Sequence, residues 1–458
     1  MSLIRNVVQS LLCVYLVTCC GAVYAQTEVY KLGGTDPDAL QSLSDKHENF
    51  FKQTIAALPG EHKKELLQLY KARWENARQK FETKEIYTSP SATAYLNQIV
   101  KEIVCSNQCL DQLPLNCYFS RSGNPNASYV GEGMILINMG LFTRLGNESQ
   151  LAFVICHEIA HQYLRHSENT IANYVSRLNS KEVQDELKTI KNSRYKRSQP
   201  LEELTNSITF TTRRHVRQNE CEADSLAVEL LKQTRFDCAE VIATLNILDK
   251  IDTDTISTNE CLRNLFNSEQ YPFQQKWILK EEGLLGGHAK LQSDEFEDSL
   301  KTHPDCTFRI SKLEPVISKL KNGSKNVVNF EAFKHFAKLF QYEVVEYAYS
   351  SDNYGKSLFY TLELLQQKPD DPYLLANIGR LFNGIYYAQK NHHLNDYIDL
   401  PAPGYPPHYN DLLQFIQNLY PENIASINFH FLDRYHYKLK EYPPFMEAYR
   451  TSVRIEEK

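Results

Sequence analysis

Residues 154–166 have the sequence VICHEIAHQYLRH, in which His157 and His161 are four positions apart and Glu158 directly follows the first histidine. Positions i and i+4 of a helix share one face, so both imidazoles can bind one metal ion, with Glu158 near them but not a ligand. The surrounding residues are strongly apolar, and burying three polar side chains among them is costly unless a cation satisfies them. The stretch therefore predicts a zinc site on a buried helix. The alternative is the polar face of an ordinary surface helix.

A catalytic zinc ion needs a third protein ligand and an open position for water. Residues 217–231, RQNECEADSLAVELL, provide the best candidate, because they have a helical pattern with Glu220 and Asp224 flanking its apolar face. We predict that Glu220 is the third ligand. We also predict that Asp224 accepts the remaining N–H of a liganding histidine, which fixes the imidazole tautomer. Glu222 lies on the polar side of this pattern and is predicted to be a solvated charge.

The N-terminus has the features of a cleaved signal peptide over residues 1–25. It contains Arg5, an apolar run too short to span a membrane, and small residues before Gln26. Lipid attachment at Cys19 or Cys20 is the less favoured alternative. No later segment reaches the roughly 18 apolar residues of a membrane-spanning helix. The net charge of −6 disfavours nucleic acids and anionic lipids as partners, and we expect export to the periplasm or cell envelope.

The remaining chain is predicted to have three parts. Residues 26–90 form an N-terminal helical segment, residues 91–325 a domain that contains the predicted zinc site and short β-rich runs, and residues 326–458 a helical region. The turn sequence KPDDP at residues 368–372 favours hairpins like those of tetratricopeptide (TPR) repeats, and a plain helical bundle is the alternative. Eight cysteines follow residue 25, and no disulfide pairing is predicted among them.

These motifs occur in an order that resembles the zinc metalloprotease family of the CaaX prenyl proteases, HtpX and the periplasmic protein BepA. Besides HEIAH and ECEAD, the matching segments are NASYVGEGMILINMGL at residues 126–141 and THPDCTFRI at residues 302–310. An exported chain with a helical-repeat tail is most similar to the BepA type within this family. The resemblance implies an α+β fold: a mainly helical, gluzincin-type domain with a small antiparallel sheet, followed by an α-helical TPR-like region.

The resemblance also implies roles for residues outside the two helical motifs. The edge strand that begins at Asn126 and Ala127 is expected to bind substrate in extended form by adding a strand. His303, in the His-Pro motif, is expected to place an imidazole over the zinc. It would act either as a donor to the oxyanion or, as we favour, as a resting-state ligand that holds the protease off.

We therefore predict an exported zinc metalloendopeptidase that binds one Zn²⁺ per chain and uses Glu158 as the general base on zinc-bound water. Its expected partners are protein or peptide substrates, above all misassembled or stalled envelope proteins. The outer-membrane assembly machinery is a further candidate partner. The alternative function is a chaperone-like assembly factor that binds proteins through its helical repeats with little proteolysis.

Overall fold

The structure is a computed structural model that describes residues 30–192, 217–251, 257–279, 306–402 and 404–457. The predicted signal peptide and His303 lie outside these described residues. The described part is mainly helical and contains one small sheet, which confirms the predicted α+β class.

The elements are numbered here in chain order. The strands are β1 (Asn116–Ser120), β2 (Ala127–Gly131) and β3 (Met134–Asn138). The helices of the first part are α1 (Pro37–Ala56), α2 (Lys63–Glu82), α3 (Pro90–Cys105), α4 (Met139–Phe142), α5 (Glu148–Tyr163), α6 (His166–Leu178), α7 (Lys181–Asn192), α8 (217–231), α9 (Glu240–Ile251), α10 (Thr258–Phe266) and α11 (Cys306–Ile317). Those of the C-terminal part are α12 (Phe330–Ser350), α13 (Tyr354–Gln367), α14 (Pro372–Lys390), α15 (Pro407–Gln417), α16 (Pro421–Leu439) and α17 (Pro443–Glu456).

Helix α5 carries the HEIAH motif and is buried along nearly its whole length. Asn147 caps its start, because the side-chain oxygen accepts a hydrogen bond of 3.1 Å from the amide of Gln150. After the helix ends, Arg165 adopts a left-handed conformation with a φ of 55°. This break reorients the chain, so His166 starts a new helix instead of continuing α5.

The sheet is mixed, whereas a small antiparallel sheet was predicted. Strand β3 lies in the middle, with β2 antiparallel on one side and β1 parallel on the other. This strand order follows from burial. All residues of β3 except the last are buried, and the most apolar strand occupies the centre of the sheet. Residues 121–126 cross the end of β3 to reach β2, which leaves β2 at an edge of the sheet.

The buried apolar side chains form two large clusters. One surrounds α5 and the sheet, and the other lies among α13–α17 of the C-terminal part. Leu262, Phe266 and Trp277 belong to the second cluster, although their positions fall within the range predicted for the protease domain. The KPDDP stretch joins α13 to α14, and Asp371 caps α14. Within the described ranges, no helix combines the length and apolar character needed to cross a membrane.

Glu148, the first residue of α5, fixes this helix to the segment that precedes α12. Its Oε2 accepts hydrogen bonds of 2.7 Å from the amides of Val327 and Val328. Its Oε1 accepts one of 2.7 Å from the amide of Asn329 and one of 3.2 Å from the hydroxyl of Tyr95. A single buried carboxylate therefore joins α5 to the start of the C-terminal helices.

We expect Glu148→Ala to lower the free energy of unfolding by about 3 kcal/mol or more, because three amides lose their acceptor at about 1–3 kcal/mol each. The matched variant Tyr95→Phe removes only the hydroxyl contact and should cost about 1 kcal/mol. Chemical denaturation of both variants measures the difference. Equal losses in the two variants would contradict this role of Glu148.

Candidate functional site

The structure brings His157 and His161 of α5 next to Glu220 of α8. The two Nε2 atoms lie 3.0 Å apart. Nε2 of His157 lies 3.4 Å from Oε2 of Glu220, and Nε2 of His161 lies 3.4 Å from Oε1. All three side chains are largely buried, with exposed fractions of 11–18%. The three residues proposed from the sequence as zinc ligands therefore converge on one point.

This arrangement fits a zinc ion. Ligand atoms about 2.0–2.1 Å from a tetrahedral zinc lie roughly 3.3 Å from one another. The separations between the three donor groups, 3.0–3.4 Å, agree with that spacing. Two imidazole nitrogens and one carboxylate also match the donor set of catalytic zinc sites, which keep a fourth position for water or substrate.

Asp224 and Arg309 lie behind His157. Oδ1 of Asp224 is 3.0 Å from Nδ1 of His157, although the N–H is not aligned for a full hydrogen bond. Arg309 of α11, itself only 2% exposed, donates two hydrogen bonds of 2.7 Å to the Asp224 carboxylate. Burial raises the pKa of Asp224, but the hydrogen bonds from Arg309 and the close contact with His157 outweigh this effect and hold that pKa below its usual value. Asp224 therefore remains ionised beside the imidazole.

His161 also has a partner on the side away from Glu220. Nδ1 of His166 lies 3.0 Å from Nδ1 of His161, and Nε2 of His166 lies 3.3 Å from Oε2 of Glu222. If Nε2 of His161 faces a metal, its Nδ1 carries the proton and donates to His166, which donates in turn to Glu222. Glu222, predicted to be a solvated charge, is 47% exposed but contacts this histidine.

Glu158 lies beside the three donor groups and is held by the backbone of β2. The amide of Tyr129 donates a hydrogen bond of 2.7 Å to Oε2 of Glu158. Together with His157, His161 and Glu220, this carboxylate lines a cavity of about 420 Å³. Glu158 is therefore fixed between the edge of the sheet and the three donor groups.

Asn126 and Ala127, the residues proposed to bind substrate, both line the same cavity. The carbonyl of Asn126 accepts a hydrogen bond of 3.0 Å from the amide of Asn138, on the β3 side. Because alternate residues of an antiparallel pair point their backbone groups in opposite directions, those of Ala127 and Tyr129 point away from β3. Ala127 therefore presents its backbone to the cavity, whereas the carbonyl of Asn126 is used within the sheet.

The charges around His157 favour a cation at this position. Burial alone would lower the pKa of His157, but the carboxylates of Asp224 and Glu220 raise it to about 10. The imidazole of His157 is therefore doubly protonated at neutral pH in the metal-free protein. A bound metal ion would displace one of these two protons. His166 differs, because burial and the neighbouring His161 lower its pKa. A neutral His166 can accept a hydrogen bond.

Comparison with known protein families adds independent evidence. Residues 90–317 match the model of peptidase family M48. This part of the chain is similar to the domains of that family. The match includes the sheet, α5, α8 and α11, and so all the site residues described above. M48 peptidases are metalloproteases, in agreement with the donor set of the site. No curated protein matches the chain.

Three residues of the site were not assigned roles from the sequence: Arg309, His166 and Tyr129. Arg309 lies 85 positions after Asp224. The sequence indicated it only as the arginine that follows the His-Pro motif. His166 lies five positions after His161, a spacing that does not share a face on an unbroken helix. Tyr129 contributes a backbone amide, which side-chain patterns do not reveal.

We expect Glu222→Ala and His166→Ala each to weaken zinc binding by about 10-fold or more, because His161 loses the chain of acceptors that orients it. Glu222→Gln keeps an acceptor oxygen and should bind zinc like the wild type. Competition with a chromogenic chelator measures the affinity, and thermal unfolding of the metal-free proteins shows whether the fold is unchanged.

The control is Glu229→Ala, which removes an exposed carboxylate from the same helix, where it pairs with Lys232. This variant should retain the wild-type affinity. If Glu222→Ala binds zinc as tightly as Glu229→Ala does, the proposed orientation of His161 is wrong.

Proposed function

We propose that this protein is a zinc-dependent endopeptidase in which His157, His161 and Glu220 hold the metal and Glu158 is the general base. The similarity to M48 domains indicates a metalloprotease, whose substrates are peptides or proteins. The observation that carries the finer proposal is the position of Glu158, whose carboxylate lies in the same open cavity as the three donor groups and is hydrogen-bonded to the edge strand.

The chemistry follows from this arrangement. A zinc ion in the site would supply a water activated near neutral pH and polarise the scissile carbonyl. A substrate in extended form would add to the edge of β2, using the backbone of Ala127 and the carbonyl of Tyr129. Glu158 would take a proton from the attacking water and transfer it to the leaving amine. Asp224 and His166 would keep the two imidazoles in the orientation that this step requires.

The role of Glu158 separates proteolysis from metal binding. We expect Glu158→Gln to retain zinc but to lose at least about 100-fold in the rate of casein cleavage, since general acid–base catalysis contributes roughly 10²–10⁴-fold. Glu220→Ala should lose both zinc and activity, and a chelator should abolish the activity of the wild type. Glu182→Gln, a change at an exposed position of α7, is the control and should behave as the wild type.

The outcomes distinguish the two candidate functions. If the zinc-loaded wild type cleaves neither casein nor other unfolded proteins, but still prevents their aggregation, the protein is an assembly factor and the proteolytic proposal is wrong. If Glu220→Ala retains wild-type zinc content, the ligand assignment is wrong.

We further propose that the protein acts on misassembled or stalled proteins of the periplasm or cell envelope. The signal-peptide pattern of residues 1–25 supports export, and sequencing of the mature protein should find Gln26 at its N-terminus. Helices α12–α17 are proposed to form TPR-like hairpins that bind protein partners, which their helix–turn–helix order supports. A mature chain that still begins before Gln26 would contradict cleavage at this site.

A further inference from the structure

A second cavity of about 580 Å³ lies next to the catalytic cavity. Tyr129 lines both of them. Its amide donates to Glu158 at 2.7 Å, and its hydroxyl lies 3.4 Å from Oε1 of Glu168 in the second cavity. One side chain of the edge strand therefore separates the general base from this second space.

Two carboxylates share a single guanidinium at this cavity. Nη2 of Arg73 lies 2.7 Å from Glu132, and Nη1 lies 3.0 Å from Glu168. Among the described residues, this pairing leaves one negative charge without a buried counter-charge, because Arg165, which also lines the cavity, is exposed and screened by solvent. Burial raises the pKa of Glu132, and Arg73 offsets that effect only in part. The cavity therefore favours an additional cation.

Three residues that line the cavity each have a buried side-chain oxygen with no hydrogen-bond partner within the described part of the chain. These oxygens are Oε2 of Glu132, Oε2 of Glu168 and Oε1 of Gln162. Glu132 and Gln162 are only 5% and 6% exposed. Nε2 of Gln162 donates a hydrogen bond of 2.8 Å to the carbonyl of Pro114, so Oε1 of Gln162 points in another direction. All three groups are acceptors, and a ligand with several N–H donors would satisfy them.

The turn between β2 and β3 is built to bury Glu132. This residue has a φ of 52°, in the left-handed region that non-glycine residues rarely adopt. Its carbonyl accepts a hydrogen bond of 3.1 Å from Nδ1 of the buried His47, which holds the turn in place. Gly131 precedes it with a φ of 98°, and a Cβ there would lie 2.5 Å from Nε of Arg73. Among the described residues that line this cavity, the other buried side-chain atom without a hydrogen-bond partner is Nε of Arg73, which packs against Gly131.

We propose that this cavity is a subsite for a lysine or arginine side chain of the substrate. Leu58, Leu66 and Leu113 line it with apolar surface, along which the aliphatic stem of such a side chain can lie, with its charged end at the three acceptors. A strand that adds to β2 places the residue opposite Tyr129 on the same face as the Tyr129 ring. That ring borders the cavity, so the substrate side chain reaches it beside the scissile bond.

This assignment rests on the proposed proteolytic function, and its test uses the zinc-loaded full chain with a set of fluorogenic peptides. The peptides share one sequence and carry lysine, arginine, norleucine or glutamate at each position around the cleavage site in turn. At one position, we expect kcat/KM for the lysine and arginine peptides to exceed that for norleucine by about tenfold or more, the scale of a desolvated charge pair. Glutamate at this position should be the poorest substrate.

Glu168→Gln and Glu132→Gln should each reduce the ratio of lysine to norleucine cleavage towards one. Glu168 is the safer substitution, since Glu132 itself lies in the left-handed conformation of the turn. The matched control is Glu75→Gln, which removes the carboxylate of an exposed glutamate–arginine pair on the same helix as Arg73 and should keep the ratio. Fluorescence anisotropy can also measure how tightly the same peptides bind to Glu158→Gln. This measurement reports the preference for basic side chains in the absence of cleavage.

Every outcome decides between the proposals. Cleavage with no preference for basic residues at any position would overturn the subsite and leave the protease intact. No cleavage of any peptide, together with tighter binding of lysine peptides to Glu158→Gln, would overturn the protease and keep the subsite. A basic preference that survives in both Glu132→Gln and Glu168→Gln would place the recognition elsewhere.

Discussion

The metal site depends on the interaction of the buried Arg309 guanidinium with two carboxylates of α8, those of Asp224 and Glu220. Glu220 and Asp224 stand one turn apart on α8, and two buried carboxylates at that distance disfavour each other's charged form. Arg309 reaches both, with two bonds to Asp224 and its Nη1 3.3 Å from Glu220. It thereby joins α11 to α8 and, through Asp224, to His157 on α5. The helices that build the site are held together by charge as well as by apolar packing.

The same charges explain why the site favours a divalent cation. Within the described part of the site, Glu158, Glu220 and Asp224 contribute three negative charges, and Arg309 contributes one buried positive charge. An ion of charge +2 would restore neutrality without recruiting another side chain. The raised pKa of His157 has the same origin, because a proton on this imidazole partly replaces the missing positive charge. Affinity for metal and affinity for this proton are therefore two consequences of one electrostatic field.

Helical periodicity was sufficient to predict the pairs that lie one turn apart, His157 with His161 and Glu220 with Asp224. It could not reveal His166, because that residue contacts His161 only through the left-handed break at Arg165. No glycine or proline lies at this break to indicate it in the sequence. Several other contacts between distant parts of the chain were equally hidden. The parallel pairing of β1 with β3 and the packing of residues 257–279 among the C-terminal helices are set by burial in three dimensions and not by local pattern.

X-ray absorption spectroscopy at the zinc edge of the purified protein tests the central claim most directly. We expect only nitrogen and oxygen ligands at about 2.0–2.1 Å, with outer-shell scattering from two imidazole rings. Sulfur ligands at about 2.3 Å would show that cysteines hold the metal and would contradict the assignment of His157, His161 and Glu220. A spectrum without imidazole scattering would contradict it equally.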